Sequence, residues 1–136
     1  MTLINDLWNN GKEDDWHTAL ANYWKYVKPT HFAIEKEFDS LNTNFVKELN
    51  SEEWYEFLLK KHFATVDQFA VKALLGVNSL PEIKSIQSMN PDQLKIKDAV
   101  ILIEIMKHKA KELNNKFLTS FWTPRKIDMI LWSIHR

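Results

Sequence analysis

The chain has 136 residues, 45% apolar and 12% aromatic, with eighteen basic and eighteen acidic side chains and no cysteine. That length closes one hydrophobic core without requiring a second domain, and the aromatic content excludes a disordered composition. The absence of cysteine excludes disulfides, thiolate catalysis and Cys-ligated zinc or iron–sulfur sites, and two glycines are too few for the turns of a sheet-rich protein. The expectation is therefore an all-α fold: a single irregular helical bundle of about seven helices, one domain over residues 1–136.

In chain order, Leu3, Ile4, Leu7 and Trp8 make a short amphipathic opening closed by Asn9-Asn10-Gly11. Asp14 or Asp15 is placed to cap a second helix with Trp16, Ala19, Leu20, Tyr23, Trp24 and Val27 on one face, and Pro29 ends it. Thr30 caps a third, with Ile34, Phe38, Leu41 and Phe45 on a continuing face. Asn50-Ser51-Glu52-Glu53 has the spacing of a capping box before Trp54, Phe57 and Leu58. Thr65-Val66-Asp67-Gln68 repeats it before Phe69, Ala70, Val71, Ala73 and Leu74, with Gly76 as the stop.

Ser79-Leu80-Pro81-Glu82 opens a short helix holding Ile83 and Ile86, and Asn90-Pro91-Asp92-Gln93 opens the next segment. The longest helix, about 99–117, carries Ala99, Leu102, Ile103, Met106, Ala110, Leu113 and Phe117 as its stripe. Val100, Ile101 and Ile105 widen that stripe, so its first half reads as the centre of the bundle. Lys107, Lys109, Lys111 and Lys116 lie in its more polar second half. The last helix has Thr123 as N-cap, Pro124 at the first position and Trp122 set to staple on Ile127. Ile127, Ile130, Leu131 and Ile134 form its inner face, with Arg125, Lys126 and Asp128 on the polar side.

Charge is unevenly distributed. Residues 1–59 carry five Lys or Arg against eleven Asp or Glu, and residues 60–136 carry thirteen against seven. Such a chain steers an anionic partner to its basic side, or pairs in opposite sense with a second copy as a homodimer. The plainer alternative is uneven decoration of a solvated surface. The densest apolar stretch, 99–106, contains Glu104 and is too short to span a bilayer, and no secretory segment opens the chain. A cytoplasmic protein without membrane partners is expected.

Two stretches resemble a known family. Phe63-Ala64-Thr65-Val66-Asp67-Gln68-Phe69-Ala70-Val71-Lys72-Ala73-Leu74 resembles the segment after the hairpin in helix-hairpin-helix DNA glycosylases and in uncharacterised bacterial proteins related to them. Residues 121–136, with Ile101, Glu104, Met106, Lys109 and Ala110, resemble the C-terminal part of those bacterial proteins more closely than that of true glycosylases. The resemblance covers roughly residues 63–136. It implies a shared helical core and sets the family's catalytic aspartate on Asp67. The family's glycine-bearing hairpin is missing, since Glu56-Phe57-Leu58-Leu59-Lys60-Lys61-His62 holds no glycine, and no lysine nucleophile is placed.

Asp67 is thus a catalytic candidate, while its place at a helix start serves equally as a cap. Lys60, Lys61 and Lys72 around it, and Arg125 and Lys126 at a helix N-terminus beside Trp122, are candidates for nucleic-acid or phosphate contact. Internal or intersubunit pairing is the competing reading of those cations. No histidine pair has zinc-helix spacing, no Gly-x-Ser-x-Gly elbow occurs, and two glycines leave no phosphate loop, so neither metal nor cofactor is expected. Two functions follow. One is a non-catalytic binding or scaffold protein acting through protein contacts, self-association included. The other is a duplex-DNA-binding or base-excision protein using Asp67.

Overall fold

Six helices and no strand occur among the residues described by the computed structural model, which are 3–23, 25, 68–90 and 95–135. They are α1 (Leu3–Asn10), α2 (Glu13–Tyr23), α3 (Gln68–Leu74), α4 (Ile83–Gln87), α5 (Ile96–Phe117) and α6 (Pro124–His135). This is the all-α bundle that the scarce glycines imply. The helix expected from Thr30, the box at Asn50, and Trp24 and Val27 lie outside the described residues.

The opening segment is helical as its apolar spacing requires, burying Ile4, Leu7 and Trp8. It reverses at Gly11, whose N–H donates to Leu7 O at 2.9 Å. A β-carbon there would lie 2.5 Å from that carbonyl oxygen and 2.8 Å from Trp16 Nε1, so only glycine lets α1 and α2 approach this closely. Asp15 assists the next helix from inside its first turn, accepting the Lys12 N–H at 2.9 Å, and does not precede it as a cap. Glu13, Asp14 and Asp15 all face the positive end of the α2 dipole. Trp16, Leu20 and Tyr23 then point inward, one helical turn apart.

The same reach-back device starts α5, where Asp98 Oδ2 accepts the Lys95 N–H at 3.0 Å. The helix accordingly begins at Ile96, and residues 91–94 of the expected opening lie outside the described set. Ala99, Leu102, Ile103 and Met106 are fully enclosed, which bears out the apolar first half. α4 is the short helix predicted, with Ile86 enclosed and Ile83 partly so.

Two helices end where the sequence sets them but close in different ways. Gly76 does not adopt a left-handed conformation, and α3 stops through tight turns from Gly76 N–H to Ala73 O and from Val77 N–H to Leu74 O. The left-handed residue is instead Leu118, at φ 52 and ψ 53, closing α5. Asn114 braces the loop that follows, donating from Nδ2 to Trp122 O at 2.8 Å and accepting from Trp122 N–H at 2.9 Å. Thr123 caps α6 as predicted, its hydroxyl accepting the Lys126 N–H at 3.3 Å, and Pro124 is the first helical residue.

α6 packs against α2, α3 and α5 and shares the centre of the bundle with α5. Ile127, Ile130 and Leu131 are fully buried, and buried residues from Ile4 to Leu131 form one hydrophobic cluster. Three tryptophans connect α1, α2 and the start of α6: Trp8 and Trp16 lie 6.0 Å apart between ring centres, and Trp16 and Trp122 6.1 Å.

Candidate functional site

Asp67, Lys60 and Lys61 lie outside the described residues, whereas Lys72 is exposed on α3. Arg125 and Lys126 do not converge on one external anion. Arg125 is buried, with Nη1 paired to the enclosed Asp128 one turn on and Nη2 donating to the Tyr23 hydroxyl at 3.2 Å. Both charges were expected on the polar side of α6. Their i, i+3 spacing explains the correction, because a fork-shaped guanidinium beside a carboxylate can be buried as a hydrogen-bonded pair. Tyr23 stacks edge-on against Trp132 at 5.6 Å. Desolvation raises the Tyr23 pKa above its ordinary 10.0; Arg125 opposes that rise by charge and hydrogen bond, and Asp128 reinforces it.

Lys126 turns the other way. Its Nζ donates to Phe121 O at 2.8 Å and stands 3.8 Å from the centre of the Phe121 ring. Two N–H groups of the α6 first turn are already engaged, Lys126 with the Thr123 hydroxyl and Ile127 with Thr123 O. This helix start is therefore occupied by its own cap.

Lys109 was placed among the polar lysines of α5 and is buried. Its Nζ donates to Trp8 O at 3.1 Å, pairs with Glu112 and sits 4.6 Å from the centre of the Trp8 ring. The signal for this was present, since position 109 lies three residues after Met106 and four before Leu113 on the apolar stripe. Among the described residues no cluster of three His, Asp or Glu side chains is arranged to hold a metal ion. No helix among them is long and apolar enough to cross a membrane.

Two surface features among the described residues bear on function. The first is the α5–α6 corner, where Leu118 is 92% exposed and Phe121 is also exposed, beside the half-buried Phe117. Cations rim this apolar corner, with Lys116 Nζ 5.5 Å from the Phe117 ring centre and Lys126 over Phe121. His17 lies 4.9 Å from the rings of both Phe121 and Trp122. Nothing in the helical periodicity marked Leu118, because its distinction is the backbone conformation and not the residue type.

The second is an open groove of about 600 Å³ between α1, α2 and the end of α6. Leu7, Ala19 and Ile134 contribute its apolar lining, Asp6 and Asp15 set carboxylates on its edge, and Lys25 stands at its margin. Comparison with known proteins yields no matching family model, no similar curated protein and no similar solved structure.

Proposed function

We propose that this chain is a non-catalytic helical binding or scaffold protein that acts through protein–protein contacts, with the α5–α6 corner as its contact point. Leu118 carries the reading. A non-glycine residue in the left-handed region costs about 1–2 kcal/mol, and a side chain 92% exposed recovers none of that by burial within its own chain. An apolar residue held outward at that cost, beside Phe121 and rimmed by Lys116 and Lys126, has the layout of a contact centre with a polar margin.

The alternative is a DNA-binding or base-excision protein using the Asp67 segment with Lys60, Lys61 and Lys72. It is supported by the exposure of Lys72 on α3, the helix immediately after Asp67, and by the excess of basic residues in the second half. One pair of measurements separates the two. A photo-crosslinking residue at position 118 should capture protein, while the same residue at the exposed Gln87 should not. Duplex DNA should show no binding at low salt. Duplex affinity falling steeply with salt, together with no capture specific to position 118, would replace the first reading with the second.

A further inference from the structure

We infer that the partner of the α5–α6 corner is a second copy of this chain, whose groove between α1, α2 and α6 receives it. The inference rests on the contact-point reading above and names the occupant. Shape and charge agree on it. The corner offers two exposed apolar side chains, Leu118 and Phe121, and the groove offers about 600 Å³ with Leu7, Ala19 and Ile134 in its lining. Lys116 and Lys126 rim the corner, whereas the groove is lined by the two carboxylates of Asp6 and Asp15 against the single ammonium of Lys25.

Leu118 is 92% exposed in its own chain, so it fills no cavity of that chain and is open to a second molecule. The two surfaces also come from the two oppositely charged parts of the chain, the groove edge from the acidic first half and the corner from the basic second half. With eighteen charges of each sign, two copies meet without net repulsion. Apolar burial of Leu118 and Phe121 supplies the affinity, and the rim pairs fix register and partner. Because corner and groove are separate surfaces, a twofold axis that brings each corner to the other copy's groove closes a dimer.

Sedimentation of the full chain over a concentration series tests this, with three single variants. The wild type should associate reversibly and weaken only partly in about 0.5 M salt. Leu118→Gly should weaken association about tenfold or more while its melting temperature stays level or rises, which separates lost contact from lost fold. Lys116→Glu and Asp6→Lys should each weaken association alone. Mixed in equal amounts they should recover a heterodimer, since one contact then pairs Glu with Lys in reversed order and the other is unaltered. A 16.2 kDa monomer at high micromolar concentration in low salt, wild-type association by Leu118→Gly, or no recovery on mixing would each overturn the inference. If the wild type is monomeric and position 118 still captures another protein, the contact-point reading survives with a different partner; if position 118 captures nothing, both fall.

Discussion

At Leu118 the backbone holds φ 52 and ψ 53, where the β-carbon of an L residue crowds the following carbonyl. Leu118→Gly removes that strain and, with the side chain 92% exposed, forfeits no packing. Allowing for the greater freedom of glycine in the unfolded chain, unfolding free energy should rise by about 0.5–1 kcal/mol. Urea denaturation at a concentration where the protein is monomeric measures it, and an unchanged or lower midpoint would show that Leu118 is packed after all. Gly11→Ala should act in the opposite direction. Its β-carbon meets backbone at 2.5 Å, so the turn between α1 and α2 must open, at a cost of about 1–3 kcal/mol. Tyr23 adds a dependence on pH. Its pKa is raised in the folded state, so its share of stability is complete below pH 10 and is lost as pH climbs through the folded value. Tyr23→Phe should therefore lose stability less steeply than wild type above pH 10, and parallel alkaline limbs would exclude Tyr23 as the cause.

Among the helices, α5 provides the core's least replaceable stretch. Leu102, Ile103 and Met106 are fully enclosed, and truncating any one to alanine should cost about 2–5 kcal/mol in chemical denaturation. Losses near 0.5 kcal/mol for all three would place this face at the surface. These residues were legible because a stripe three and four residues apart survives whatever packs on it. The start of α6 was legible for a related reason: the Thr123 cap and Pro124 at the first helical position act within one turn, so no distant contact is needed to set them. Other features depend on neighbours far along the chain. Lys109 is buried because Trp8, 101 residues away, supplies a carbonyl and a ring. Arg125 turns inward toward Tyr23, 102 residues away, as well as toward its neighbour Asp128. The acidic start of α2 was misplaced because Asp15, three residues after Lys12, reaches back to the Lys12 N–H from inside the helix and does not precede it. The groove is beyond sequence periodicity altogether, since Asp6, Asp15 and Ile134 meet only when α6 returns to α1 and α2.

For the molecule as a whole, the decisive fact is that α6 lies against α2, α3 and α5 at once, although it is among the last elements of the chain. The first helices cannot complete their burial until Trp122 has met Trp16 and the Arg125–Asp128 pair has met Tyr23. Every described helix contributes to one hydrophobic cluster, which makes independent melting of its parts unfavourable. Deleting residues 124–136 removes the fully buried Ile127, Ile130 and Leu131 and strips the covering from three helices together. That deletion should abolish the cooperative thermal transition and leave a chain that exposes apolar surface, whereas Leu102→Ala should lower the transition temperature and keep a single transition. Circular dichroism with a hydrophobic dye distinguishes the cases. A sharp transition of near-wild-type amplitude in the deleted chain would show that α1, α2, α3 and α5 hold together without α6, and would assign the centre of the bundle to α5 alone.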